Sequence, residues 1–244
     1  MIRFENVQKT YAGGKVKALD NLNMEIESGK VFGFIGPNGA GKTTAIKILT
    51  GILRPDAGSV WLEGISMAEQ PLKAKRSFGY VPDSFDMYDR MTGMEYLRFL
   101  ADVYSVAKED RDRHVEKYLA LFELENAAYQ QIRSYSHGMK QKLSVTGSLI
   151  HHPNIWILDE PMTGLDPKSM HILKEEMKGH SQNGGTVFFS THVLDVAEKL
   201  CHKIAIIKDA RLVVAGPTAD IVGNSSLEHV FLDLEARSAT EQGV

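Results

Sequence analysis

GPNGAGKTT (residues 36–44) stands between the apolar run VFGFI (31–35) and the alternating stretch AIKILTGIL (45–53). Each glycine gives up extra backbone entropy on folding, so a turn with three of them must make interactions that offset the loss. Gly36, Gly41, Lys42 and Thr43 fit the pattern G-x-x-x-x-G-K-[ST], with Pro37, Asn38, Gly39 and Ala40 inside it and Thr44 after it. Glycines let backbone N–H groups turn inward to form an anion nest, and a helix opening at Lys42 adds its positive N-terminal end. Lys42 is then placed to reach the outer phosphates of a nucleotide, and the Thr43 hydroxyl to hold Mg²⁺. The plain alternative is an ordinary strand-to-helix turn. The strand before and the helix after favour the phosphate loop.

Outward from this turn, strands are expected at IRFENV (2–7), LNMEI (22–26), SVWLEG (59–64), NIWILDE (154–160), TVFFS (186–190), KIAII (203–207) and RLVVAG (211–216), besides VFGFI. The runs at 2–7, 22–26 and 59–64 alternate like half-exposed antiparallel strands. Those at 31–35, 154–160, 186–190 and 203–207 are short and nearly all apolar, like parallel strands buried on both faces. Helices over 42–52, 167–178 and 193–201 each follow such a strand, which predicts an α/β fold with a parallel sheet.

Between Asp83 and Pro153 the texture changes. TGMEYLRFLADVY (92–104), DRHVEKYLALFEL (112–124) and SHGMKQKLSVTGSLI (136–150) carry a helical period, and Thr92 with Glu95 forms a capping box. The chain is expected as one domain. An α/β core with a β subdomain spans 1–82 and 154–220, interrupted by a helical insert over 83–153. A tail follows over 221–244, and its last ten residues, EARSATEQGV, are expected to fray.

The 244 residues carry a formal net charge of −3 and a single cysteine, Cys201. There is no basic excess of the kind that marks a nucleic-acid footprint, and one cysteine suits a reducing compartment. No apolar run approaches the ~20 residues of a membrane span, and MIRFENVQKTY lacks the apolar region of a signal peptide. A soluble intracellular protein is expected, any membrane role coming through a partner.

NIWILDE ends an apolar strand in two acids, at the edge where α/β sheets bind ligands. Asp159 suits Mg²⁺, directly or through water. Glu160, one residue on, is free to take a proton from an attacking water. A strand ending in a polar turn is the bland alternative, and the phosphate loop favours the functional one. The chain contains no Asn-Lys-x-Asp, the run a GTPase uses to read guanine, so ATP is favoured.

The stretch YSHGMKQKL (135–143), just before that acidic strand, resembles the signature of the ATP-binding subunits of ATP-binding-cassette (ABC) transporters, which reads Leu-Ser-Gly-Gly-Gln. Ser136 and Gly138 are kept, while Tyr135, His137 and Met139 replace the Leu, the first Gly and the Gln. The variant is similar to that of the exporter-like branch, which serves drug, peptide, lipid or polysaccharide efflux. By its chemistry alone Ser136 is a good N-cap. The resemblance spans residues 2 to about 220 and implies a P-loop NTPase core, an N-terminal antiparallel β subdomain and a helical insert.

The same resemblance implies roles for single residues. Ser136 and Gly138 face the γ-phosphate of ATP bound to the opposite subunit. Tyr11 stacks on adenine, although a tyrosine beside a glycine pair is equally a turn-packing residue. Asp166, in MTGLDP (162–167), bridges the two subunits, although Asp-Pro is also an ordinary helix start. His192, ending FFSTH (188–192), contacts the γ-phosphate. After FGYVP (78–82) the family has a Gln that touches Mg²⁺ and the attacking water; this chain has Asp83, one methylene shorter and charged. The Met, Phe and Tyr residues of SFDMYDRMTGMEYLRF (84–99) serve either the core of the insert or the docking of a membrane subunit.

The implied function is ATP hydrolysis, with Glu160 as general base and Lys42, Ser136 and His192 around the γ-phosphate. Two ATP molecules lie between two head-to-tail subunits, alike or merely similar. The cycle drives a separate membrane-spanning permease at the cytoplasmic face of the cell membrane. The competing reading is a soluble ABC ATPase of translation or nucleic-acid maintenance. Those carry two cassettes in one chain or a long coiled-coil insert, and this chain has one cassette and a short insert.

Overall fold

The computed structural model describes residues 1–84 and 87–241. Along the chain the strands are β1 (Ile2–Tyr11), β2 (Val16–Ile26), β3 (Val31–Ile35), β4 (Ala57–Leu62), β5 (Ile65–Ser66), β6 (Phe78–Val81), β7 (Ile155–Asp159), β8 (Thr186–Thr191), β9 (Lys203–Lys208) and β10 (Arg211–Pro217). The helices are α1 (Lys42–Leu49), α2 (Pro71–Lys75), α3 (Gly93–Val103), α4 (Lys108–Leu121), α5 (His137–Leu149), α6 (Pro167–Gln182), α7 (Leu194–Leu200), α8 (Thr218–Val222) and α9 (Leu227–Glu241).

One sheet has the order β10-β9-β3-β8-β7-β6, parallel from β9 to β6 with β10 antiparallel at its edge. Its central strands are buried on both faces. Phe32, Phe34, Ile155, Ile157 and Phe188 point into one core, and Val31, Ile35, Trp156, Leu158 and Phe189 into the other. The second sheet, β2-β1-β4-β5, is antiparallel and covers the first of these cores. Helix α1 lies in that core, supplying Ala45, Ile46, Ile48 and Leu49, while the Phe188 ring meets Phe4, Phe32 and Phe34 at 5.7–6.5 Å.

The other core takes α5, α6, α7 and the helices α3 and α4. The capping box of α3 is formed, with Thr92 N–H donating to Glu95 Oε2 at 2.8 Å and Glu95 N–H to Thr92 Oγ1 at 3.2 Å. Of the aromatic and Met residues before and within α3, Met87, Met91, Met94 and Tyr96 pack against the core, whereas Tyr88 and Phe99 are exposed and meet edge to face at 5.7 Å. Phe85 and Asp86 lie outside the described residues.

Strand β6 has no counterpart among the expected elements. The short helices α2 and α8 are likewise unanticipated. Helix α1 stops at Leu49 rather than Ile52 because Gly51 turns left-handed at φ 66°, the usual way a helix ends. Helix α6 runs a turn further than expected, to Gln182. The final stretch expected to fray is helical as far as Glu241, and residues 242–244 lie outside the described residues.

Strand register positions the site. Ile35 sits opposite Thr191, and Asp159 opposite Ser190, so β3, β7 and β8 end at one edge. Parallel β6 ends there too, with Val81 opposite Leu158. The 36–44 turn, Asp83, Glu160 and His192 all leave the sheet at that edge.

Candidate active site

A cleft of about 580 Å³ opens at this edge, lined by Tyr11, Asn38, Gly39, Gly41, Lys42, Thr43, Thr44, Asp83, Glu160 and His192, together with Thr163 and the start of β2. Two loop glycines have structural reasons. A Cβ at Gly36 would stand 2.3 Å from the Ile207 carbonyl. At Gly41, where φ is 112°, one would stand 2.3 Å from the Ala18 carbonyl. Gly39, at φ 82°, faces open space, and its backbone conformation alone favours glycine. Pro37 and Ala40 belong to the same turn and do not line the cleft, Ala40 being buried.

Lys42 opens α1 and is buried, its ammonium donating to the carbonyls of Gly36 at 2.7 Å and Pro37 at 3.2 Å. It also lies 3.4 Å from Glu160 Oε1. The other Glu160 oxygen, Oε2, is 2.9 Å from His192 Nδ1. An ionised carboxylate only accepts, so Nδ1 carries the hydrogen and the Nε2 edge of the ring is left for another partner. Glu160 itself holds φ 48°, a left-handed conformation that a non-glycine residue adopts at a cost and that collects at functional positions.

Ser190 organises the acids. Its hydroxyl donates to Asp159 Oδ1 at 2.6 Å and accepts the Glu160 N–H at 2.9 Å. Asp159 is fully buried and its Oδ2 makes no hydrogen bond. Burial pushes the Asp159 carboxyl up, the Ser190 and Thr43 hydroxyls pull it down, and the charges of Asp83 and Glu160 raise it again. Asp83 is exposed and close enough for its charge to be felt there.

The residues fit a hard divalent cation. A buried carboxylate with an unpartnered oxygen beside a threonine hydroxyl is an incomplete oxygen set, and Mg²⁺ is typically held by one or two carboxylates, substrate phosphates and several waters. Among the described residues no group of three His, Cys, Asp or Glu could hold a metal without such additional ligands.

Ser136, Gly138 and Asp166 stand outside this cleft. Ser136 caps α5, accepting the Met139 N–H at 3.2 Å. Asp166 caps α6, accepting the Ser169 N–H at 2.9 Å and the Ser169 hydroxyl at 2.6 Å, with the Lys142 ammonium at 3.1 Å. The Ser169 groups and Lys142 hold its carboxyl well below the usual carboxylate range. The two capped helix starts are packed together. A Cβ on Gly138 would stand 2.8 Å from the Gly164 carbonyl, and one on Gly164 would stand 2.2 Å from the His137 ring. Gln141, buried in α5, donates to the Pro161 carbonyl at 2.7 Å. One chain thus carries a phosphate-loop cleft and, apart from it, a patch made of 136–138 and 164–166.

Sequence reading missed Ser190, Gln141 and Thr163. A serine closing an apolar strand carries no signal of its own; its pairing with Asp159 depends on register.

A family model described as ABC transporter matches residues 19–163. The chain is 34% identical over 233 residues to an uncharacterized ABC transporter ATP-binding protein of Synechocystis, covering 93% of this chain and 65% of that one. It is 35% identical to the Nod factor export ATP-binding protein I of Burkholderia thailandensis, covering 91% of this chain and 72% of that protein. It is 31% identical to a linearmycin resistance ATP-binding protein of Bacillus subtilis, covering 91% and 70%. The chain thus spans 65–72% of the length of these relatives. A solved ATP-binding subunit of an ABC transporter superposes with a TM-score of 0.91 at 29% identity, over 96% of this chain and 99% of that one. A dimeric cassette in a post-hydrolysis state, bound to ADP and phosphate, gives 0.79 at 28% identity, over 89% and 99%. With a phosphate loop and an acidic strand end meeting at one sheet edge, and with this family match and these relatives, the chain belongs to the ABC transporter family as one of its ATP-binding, ATP-hydrolysing subunits.

Proposed function

We propose that this subunit powers export through a separate membrane-spanning permease, working as a head-to-tail dimer at the cytoplasmic face of the cell membrane. The observation that carries the dimer is the separation of the two half-sites: Lys42, Glu160 and His192 line the cleft, and Ser136, Gly138 and Asp166 do not. Facing a second copy, or a similar chain, the 136–138 tip of one subunit completes the cleft of the other. Export is favoured by the names of the relatives and by the signature variant. The cargo would be a drug, peptide, lipid or polysaccharide.

In this reading Tyr11 stacks on the adenine, and the N–H groups of residues 38–44 wrap the phosphates. Lys42 exchanges its loop carbonyls for phosphate oxygens. Glu160, relieved of that cation, accepts the proton of the attacking water, while the His192 N–H holds its carboxylate in place. Thr43, with Asp159 and Asp83 acting through water, would hold Mg²⁺, which when bound neutralises charge on the outer phosphates. The arriving Ser136 hydroxyl and Gly138 N–H close the far side of the γ-phosphate.

The test is complementation. Homodimers of Lys42→Ala and of Ser136→Arg should each be inactive, because every site lacks one half. In the mixed dimer one site combines both defects and the other combines two intact halves, so mixing should restore measurable hydrolysis. If mixing restores nothing while a tandem-linked protein with one wild-type site hydrolyses ATP, the head-to-tail arrangement is wrong.

A further inference from the structure

The residue that leads into Ser136 is a tyrosine where the family signature has leucine. A leucine there needs only an apolar hole, whereas a buried tyrosine also needs a partner for its O–H. Tyr135 is buried, and its hydroxyl donates to the Ala127 carbonyl at 2.6 Å. Burial raises the pKa of the phenol, so it stays a donor. Gly93, the first residue of α3, makes room for this bond, since a Cβ there would collide with the Tyr135 hydroxyl.

The bond belongs to a wider tether between the start of α3 and the segment that precedes α5. Gly93 N–H donates to the Gln130 carbonyl at 3.3 Å and Met94 N–H to that of Ala128 at 2.7 Å. Ile132 N–H donates to the Met91 carbonyl at 2.9 Å and Arg133 N–H to that of Asp89 at 3.0 Å. The Asp89 carboxylate pairs with Lys140 of α5 at 2.9 Å. Tyr135 closes the series, its own N–H donating to the Ile132 carbonyl at 3.0 Å. Ser136, directly after it, is exposed. The tyrosine is therefore the last core-packed residue before the tip that carries Ser136 and Gly138.

We propose that Tyr135 is a positioning residue for hydrolysis in the opposite subunit: its hydroxyl, seated on the Ala127 carbonyl beside Gly93, fixes where Ser136 and Gly138 arrive on the nucleotide held by the other copy. This rests on the head-to-tail reading above. Tyr135 lines no part of its own chain's cleft, so its effect is felt at the neighbour's. The Ala127 carbonyl also accepts the Gln130 N–H, at 2.8 Å. Tyr135→Phe therefore leaves that acceptor partnered and keeps the buried ring, removing the seat of the hydroxyl and little else.

The test places one substitution on either side of a single working site. In a tandem-linked dimer with Lys42→Ala in one cassette, the remaining site combines the loop of the other cassette with the signature of the Lys42→Ala cassette. Turnover should be about three- to tenfold lower with Tyr135→Phe in the Lys42→Ala cassette than with Tyr135→Phe in the other, the span set by one neutral hydrogen bond. Both proteins carry the same two substitutions, so general destabilisation lowers the two rates alike. Ser136→Arg, placed in the same two ways, calibrates the comparison and should separate the placements more widely.

A second arm needs no single-site turnover. In the Glu160→Gln background with Mg-ATP, Tyr135→Phe should raise the dissociation constant of the dimer at least about threefold, while the Mg-ADP affinity of the single chain holds. Ser148→Ala, which removes the 2.9 Å hydrogen bond from Trp156 at the far end of α5, should leave the dimer constant unchanged. If Ser136→Arg acts alike in both placements, the head-to-tail reading fails and this inference with it. If Ser136→Arg separates the placements and Tyr135→Phe does not, the head-to-tail reading stands and the role of Tyr135 is overturned. Where the tandem proteins do not turn over, the second arm decides. An unchanged dimer constant, a rise matched by Ser148→Ala or an equal loss of Mg-ADP affinity then overturns the proposal.

Discussion

Ser190→Ala removes one hydroxyl that holds Asp159 and Glu160 at once. The Oγ donates to Asp159 Oδ1 at 2.6 Å and accepts the Glu160 N–H at 2.9 Å, and both Ser190 and Asp159 are fully buried. Alanine fills nearly the same space, so the effect isolates the hydrogen bonds from any cavity. A bond to a charged group contributes about 1.5–3 kcal/mol, and leaving a buried donor unsatisfied costs about 1–3 kcal/mol. Since some of that loss is recovered by relaxation, about 3 kcal/mol is a fair central figure, and for a chain of this size it lowers Tm by about 6–12 °C. Activity should fall as well. Glu160 keeps its left-handed φ of 48° partly through this tether. A displacement of about 1 Å in a positioned group can reduce turnover about 100-fold. Calorimetry and steady-state ATPase measurements on the same preparation provide both readings. A Tm within about 2 °C of wild type together with unchanged kcat would show that the Ser190 bridge does not organise the acids.

Other perturbations separate the remaining roles. Glu160→Gln should bind ATP yet hydrolyse it at least ~10²-fold more slowly, and sizing chromatography with Mg-ATP should then show a persistent dimer; unchanged turnover would remove Glu160 from the mechanism. Asp83→Gln takes away a carboxylate proposed to hold Mg²⁺ through water, so Mg-ATP should bind about 3–10-fold more weakly, as expected for losing one partly solvated attraction; equal affinity by fluorescence titration would make position 83 a solvated loop residue. His151 has a folded pKa of about 4, below its unfolded value of 6.5, so its contribution is present above pH 6.5 and is lost as pH falls toward 4. Urea unfolding should therefore weaken across that window by up to about 3 kcal/mol and do so less steeply in His151→Gln; parallel profiles would show that His151 is not the titrating group.

What the sequence made legible follows from where each element is buried. β3, β7, β8 and β9 read clearly because strands covered on both faces must be apolar throughout, and the 36–44 turn reads clearly because its glycines answer a steric demand. β6 was hidden by the residue that lets it fit. A Cβ on Gly79 would lie 2.0 Å from the Ser148 carbonyl, so close packing against α5 requires glycine in the middle of a four-residue strand. Glycine in so short a strand, with Pro82 directly after it, erases the pattern by which strands are recognised. The cleft residues were legible as separate motifs, each tied to a strand end. Their convergence rests on the alignment of Ile35 with Thr191 and of Asp159 with Ser190, which no single segment encodes.

The second patch poses a harder problem, because each of its residues has adequate work to do within one chain. Ser136 and Asp166 are helix caps, and caps alone would justify them. The contacts between them carry the further argument. The loop that begins at Glu160 ends at Asp166, and along its length Gln141 grips the Pro161 carbonyl, His137 covers Gly164 and Lys142 pairs with Asp166. Gly164, at φ 76°, allows no side chain against that ring. The segment leaving Glu160 is therefore pinned to the helix that carries Ser136 and Gly138. In the head-to-tail dimer proposed above, a shift of Glu160 on hydrolysis would be transmitted through residues 160–166 to the start of α5, which faces the other nucleotide. Two sites linked in this way need no separate relay, because the loop that ends one half-site supports the other.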